Sequence, residues 1–225
     1  MTTNAPYGYD DLWGLMTLMT GDEKHSASAT STLDVIWTLY DQVLDVDPDH
    51  RADPDRDRFL LSKGHGPMAY YAVLAAKGFI PSEWLETFGS YNSPLGWHPD
   101  RSLIPGVEIA SGSLGHGLPI AVGVASALRA TGRTGRVFCL LGDAELDEGS
   151  NHEAIVMAAR LRLDRVAAVV IDNGSATHGW PGGIAARFEL EGWSSAVVDG
   201  RDLEAIERGF GIATPDRPHL VVAEV

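Results

Sequence analysis

Five carboxylates, Asp143, Glu145, Asp147, Glu148 and Glu153, crowd the stretch LLGDAELDEGSNHEA. This stretch opens where the apolar run 137–141 ends. That run reads as a buried strand, and Asp143 leaves its carboxyl end. A second apolar run, 166–172, is followed by Asn173, one strand–helix–strand unit further along. Ligands of parallel sheets bind beyond the carboxyl ends of the strands, so the Asp143 carboxylate and the Asn173 amide can project from one edge. Both are hard oxygen ligands, and so small a set suits Mg²⁺ completed by water and by a diphosphate. Gly142 allows close approach of the backbone, and the helix after the acidic turn can present its amides to an anion. Asp and Asn are also ordinary turn and cap residues at strand ends. Spacing alone leaves both readings open.

The elements that must position these residues alternate regularly. Residues 31–46 carry Leu33, Ile36, Trp37, Tyr40, Val43 and Leu44 at helical spacing. A charged loop, 47–58, precedes a short apolar piece, 59–61, and the segment Ser62-Lys63-Gly64-His65-Gly66. Residues 68–77 read as a helix stopped by Gly78, and Pro81-Ser82 opens another short one. The Gly-, Pro- and Ser-rich stretch 89–113 holds Trp97, His98 and Ile104, which predicts an ordered functional loop. Helices are expected at 118–130, 154–161, 184–191 and 203–210, and strands at 137–141, 166–172, 196–198 and 220–225. The expected fold is α/β: a doubly wound parallel sheet with helices on both faces, built as one domain over residues 1–225.

Composition narrows the function further. With 225 residues, 44% of them hydrophobic, the chain can bury a sizeable core. Its 17 Lys and Arg against 31 Asp and Glu give a net charge of −14, which argues against nucleic acid or an anionic membrane as main partner. No basic-then-apolar leader opens the sequence and no apolar run nears the roughly 20 residues of a membrane span, so a soluble cytoplasmic protein is expected. The single Cys139, inside an apolar run, reads as a small buried residue and not as a nucleophile.

The stretch GDAELDEGSNHEA…VVIDN resembles the cofactor motif of the transketolase family and other thiamine-diphosphate enzymes. RFLLSKGHGPMAYYAVLAAKGFI is similar to the Ser-x-Gly-His segment of the transketolase branch, and WHPD…PGVEIASGSLGHGLPIAVGVA to a further ordered segment of it. The resemblance implies a diphosphate-binding domain in which Asp143, Asn173 and the backbone carbonyl of Ser175 hold Mg²⁺. It implies that His65 contacts the diphosphate of thiamine diphosphate, that Gly112 and Leu114 flank its rings, and that Gly142 and Ala144 complete the cofactor motif. His98 and His25 would hold donor hydroxyls, and Glu148 and Glu153 would lie between the two active sites of a dimer, although acids are also favoured in a first helical turn on electrostatic grounds. Departures from the pattern are Ala144, in place of a glycine, and Thr177 and His178, in place of an aliphatic and an acidic residue. The pyrimidine-binding domain, with its activating glutamate, is expected on a partner chain. The implied protein is thus the N-terminal subunit of a split transketolase, a heterotetramer with two copies of each chain, moving a two-carbon ketol unit from a ketose to an aldehyde. A split 2-oxoacid decarboxylase and a non-catalytic subunit of the same fold are the alternatives.

Overall fold

A computed structural model describes residues 6–19, 30–177, 179–212 and 214–225. Its centre is a sheet of five strands: β1 (Arg58–Leu61), β2 (Val137–Gly142), β3 (Val166–Asp172), β4 (Ser194–Asp199) and β5 (His219–Glu224). All pair in parallel, in the spatial order β1-β2-β3-β5-β4.

The period-two alternation of strand side chains divides the core into two layers. Phe59, Leu61, Phe138, Leu140, Val169, Ile171 and Val221 face one layer, which is completed by α1 (Leu12–Thr17), α2 (Leu33–Thr38) and α3 (Met68–Ala76). Leu60, Val137, Cys139, Leu141, Ala168, Val170 and Leu220 face the other, against α4 (Gly117–Ala130), α5 (Gly149–Arg160) and α6 (Gly183–Glu191). The last helix, α7 (Leu203–Phe210), returns to the first layer through Ile206 and Phe210. Because both faces are covered, the central strands carry uninterrupted apolar runs. The doubly wound sheet expected from the sequence is therefore present, and Cys139 is fully buried within it.

Boundaries differ where local signals compete. The helix expected over 31–46 is regular only to Thr38 and continues as a π-turn, Leu39–Val43, closed by the Leu44 N–H to the Leu39 carbonyl at 2.8 Å. α5 starts at Gly149, five residues ahead of the expected 154, because Gly-Ser-Asn reads locally as a loop while tertiary packing extends the helix through it. A short 3₁₀ turn, Ala144–Asp147, separates it from β2. α1 was not anticipated. At the amino ends of β1 and β2, the Asp57 carboxylate accepts the main-chain N–H of Arg136 at 2.7 Å, the N–H of Asp45 at 2.9 Å and the Arg136 guanidinium at 2.5 Å. One buried carboxylate thus ties two strand starts to the end of the α2 segment. Among the described residues no helix is long and apolar enough to cross a membrane.

His219 opens β5 and is 2% exposed. Its Nε2 lies 2.9 Å from the Gly209 carbonyl, so Nε2 carries the proton and Nδ1 accepts from the Ser194 hydroxyl, also at 2.9 Å. Burial lowers its pKa below the ordinary histidine range, the bond to Gly209 partly opposing the shift. Stability linked to this ring is full above about pH 6.5 and falls as the pH drops below it, because the unfolded chain takes up a proton that the native ring refuses until its own lower pKa. Urea midpoints should therefore fall between about pH 7.5 and about pH 5.5, and His219→Gln should show a smaller fall between the same two points. Equal pH dependence in the two proteins would remove His219 from this role.

Candidate functional site

Asp143 stands immediately beyond β2, its N–H donated to the Ile171 carbonyl of β3 at 3.0 Å. Its carboxylate is almost wholly buried and gathers the turn after β3. Oδ1 accepts the Ala144 N–H at 2.8 Å and the Ser175 hydroxyl at 2.5 Å, and Oδ2 accepts the N–H groups of Ser175 at 2.7 Å and Ala176 at 3.0 Å. Asn173 Oδ1 accepts the same Ser175 N–H at 3.2 Å, and Gly174, at φ +68°, supplies the left-handed residue that the turn needs. Asp143, Ala144, Asn173 and Ser175, predicted as one group, are brought together here. The oxygens are those a hard divalent cation takes. Among the described residues no three His, Cys, Asp or Glu side chains form a metal cluster. A cation at Asp143 therefore depends on amide and main-chain oxygens and on a bound anion. It also competes with Ser175 and Ala176, since four donors already occupy the roughly four acceptor positions of the carboxylate.

A second group sits on the loops after β1 and before α4. The rings of His65 and His98 meet edge to face, with centroids 5.3 Å apart. Gly112, at φ +134°, passes so close that an added Cβ would lie 3.0 Å from the His98 ring, and a Cβ on Gly64 would lie 2.7 Å from the Gly112 nitrogen. Only glycine fits these crossings. Leu114, half-buried, precedes the Gly115 amide that anchors this loop to Glu145 at 2.9 Å. Ser111, whose Oγ is buried with no hydrogen-bond partner among the described residues, lines a cavity of about 190 Å³ with Ser62, Ser113, His116 and Gly117. His25 and His178 fall outside the described residues. Glu148 and Glu153 are both exposed, Glu148 at the N-cap of α5.

Between the two groups lies a buried pair that the sequence reading missed. Glu145 is 1% exposed. Its Oε1 accepts from the Ser62 hydroxyl and the Gly115 N–H, and its Oε2 from the Gly142 N–H at 3.3 Å. Burial raises its pKa, against the pull of those donors and of Lys63. The Lys63 stem packs beside Gly142, where an added Cβ would meet its Cδ at 3.3 Å. Burial lowers the Lys63 pKa to about 8, while Asp143 and Glu145 draw it back up. Lys63 was visible only as part of Ser-Lys-Gly-His. Glu145 was one of five acids with nothing to mark it as the one turned inward.

A family model described as the thiamine diphosphate binding domain of transketolase matches residues 16–224. The chain is 56% identical over 220 residues to a protein of Rhodococcoides fascians named Ferredoxin fas2, covering 97% of this chain and 72% of that one. It is 36% identical over 206 residues to one subunit of the apulose-4-phosphate transketolase of Actinobacillus succinogenes, covering 88% of this chain and 75% of that one. Among solved structures, a transketolase from Campylobacter jejuni is similar with a TM-score of 0.76 at 25% identity, covering 97% of this chain and 38% of that one. The chain thus spans little more than a third of that transketolase.

The loop-joining role of Glu145 has a measurable consequence. Glu145→Ala leaves the Gly115 and Gly142 amides and the Ser62 hydroxyl without this acceptor and removes a carboxylate near Lys63, so chemical denaturation should show a loss of about 3 kcal/mol. Glu145→Gln, which keeps the shape and one acceptor oxygen, should lose about 1 kcal/mol. Losses in the reverse order would contradict the network.

Proposed function

The chain belongs to the transketolase thiamine diphosphate-binding family, and on that footing we propose that it is the diphosphate-binding part of a ketol transferase completed by a second polypeptide. The observation that carries this reading is Asp143: a buried carboxylate beyond the interior strand β2, bridged to the 173–176 turn and backed by Lys63 and Glu145. In this reading Asp143, Asn173 and the Ser175 carbonyl hold Mg²⁺ with the cofactor diphosphate, and His65 contacts the diphosphate. Gly112 and Leu114 flank the rings, and Gly142 and Ala144 keep the backbone close. Thiamine diphosphate, when bound, supplies a carbon nucleophile and an electron sink for the transferred two-carbon unit. His98, held against His65 and Gly112, orients a hydroxyl of the ketose donor, and His25 is assigned the same work. Lys63 places a positive charge beside the two buried carboxylates and leaves the site less repulsive to a diphosphate.

The partner would bring the pyrimidine-binding domain and its activating glutamate, in a cytoplasmic heterotetramer with two copies of each chain. A relative named as one subunit of a transketolase is in keeping with such a division. Its apulose 4-phosphate points to phosphorylated ketoses as a donor class to try first. The name Ferredoxin is said of another relative, of which this chain covers 72%; the one cysteine in these 225 residues, Cys139, is buried in β2 and carries no part of the proposed chemistry. Ala144, in place of the motif's glycine, supports the second reading, a split 2-oxoacid decarboxylase. Carbon dioxide release from pyruvate with no use of ketose phosphates would select that reading.

Calorimetric titration with thiamine diphosphate and Mg²⁺ on the assembled enzyme should give saturable binding that Asp143→Ala abolishes. Unchanged affinity in the variant would remove Asp143 from the metal site. A transfer assay on this chain, on its partner and on the mixture should show activity in the mixture alone, and full transfer by this chain alone would overturn the divided site. His98→Ala should depress turnover with hydroxylated donors while cofactor affinity changes little. A large loss of affinity with normal donor kinetics would assign His98 to the cofactor instead.

A further inference from the structure

At the opposite end of the sheet from Asp143, beside the amino end of β1, the fold forms an open cavity of about 320 Å³. We propose that it is a second ligand site, taking a small organic anion with a planar apolar body. The size lies at the lower end for small-molecule pockets, and the lining is more polar than is usual for them: aromatic rings at the base meet charged groups on the walls and at the mouth. Tyr40, Phe59 and Phe79 form an aromatic floor, their rings in edge-to-face contact at 5.5 Å and 5.8 Å. The loop 101–108 forms one wall and is fixed independently of any ligand. The Gly106 carbonyl accepts from Tyr70 Oη at 3.3 Å, and an added Cβ on Gly106, at φ +88°, would lie 2.7 Å from Phe79 Cδ1.

Charge selects the ligand. Three guanidinium groups, Arg51, Arg56 and Arg101, line the cavity against two carboxylates, Asp47 and Glu108, in a chain whose net charge is −14. Arg56 is paired with Glu108 at 2.5 Å, and Asp47 lies 3.5 Å from the His50 ring and accepts the Asp49 N–H at 2.6 Å. Arg51 and Arg101, both exposed, make no ion pair with any of the described residues. Two such forks over an aromatic floor fit a phosphate or carboxylate head, bound bidentately, with a ring below it. The wall loop also leads to the candidate active site: Pro99 follows His98, and the Pro99 carbonyl accepts the N–H of Ser111, the residue before Gly112, at 3.2 Å.

The test is calorimetric titration of the full chain with phenyl phosphate, with benzoate and with inorganic phosphate. Saturable binding of phenyl phosphate or benzoate is expected, with inorganic phosphate at least about tenfold weaker and with about tenfold or greater loss in Arg51→Ala/Arg101→Ala. Asp143→Ala should leave this binding intact, which separates the site from the cofactor reading and lets each fail alone. The proposal is overturned if neither ring compound saturates, if inorganic phosphate binds as well as they do, if the double arginine variant binds equally, or if Asp143→Ala removes the binding.

Discussion

One buried carboxylate holds the loops of the site together. Glu145 takes hydrogen bonds from the end of β1 through Ser62, from the start of α4 through Gly115 and from the end of β2 through Gly142, while its own carbonyl accepts from Asn151 of α5 at 2.7 Å. A carboxyl group so deep is costly unless its hydrogen-bond partners are all in place. The loops that supply them are therefore fixed relative to one another, and the groups on those loops, His65, Leu114 and Asp143, inherit that fixity. The Ser62 hydroxyl shows how closely the parts are fitted. It donates to Glu145 while accepting the Gly117 N–H at 2.9 Å, and an added Cβ on Gly117 would lie 2.2 Å from its own Cβ.

Much of the fold was legible because β2 and β3 advertise burial on both faces. A run such as Val-Phe-Cys-Leu-Leu has no polar side to present to water, and the helices between such runs leave a parallel sheet as the natural arrangement. Helix ends were less legible. Nothing in Gly149-Ser150-Asn151 announces the first turn of α5, and Asn151 is 0% exposed there because its side chain serves the Glu145 carbonyl, a long-range reason that no local propensity encodes. Asp143 and Asn173 could be grouped from strand spacing alone. His65 and His98 could be set near one another only by resemblance, since an irregular loop joins them. Glu145 was hidden by its chemistry, because a carboxylate in an acidic turn reads as solvated until the donors that surround it are seen.

The two ends of the sheet are organised differently. At the carboxyl ends, buried charge is balanced within a compact group, with the Lys63 ammonium against Asp143 and Glu145. At the amino ends, arginines dominate: Arg136 closes on Asp57, and Arg56 and Arg58 reach Glu108 at 2.5 Å and 4.0 Å. In a strongly acidic chain this confines most inward-facing positive charge near the site to one lysine, while guanidinium groups gather where the strands begin.

The π-turn at Leu39–Val43 constrains how the chain length can drift. Such a turn holds one residue more than the α-helix around it, and the helix exit is rotated accordingly. Removing one residue from this stretch would restore an ordinary helix but turn everything after it by about 100° and shorten the path. The residue displaced would be Asp45, whose N–H is held by Asp57 at 2.9 Å together with the Arg136 main chain. Relatives that keep the Asp57 clamp must therefore keep the odd residue as well, so that lengths in this segment should vary in the loop after Asp45 and not before it.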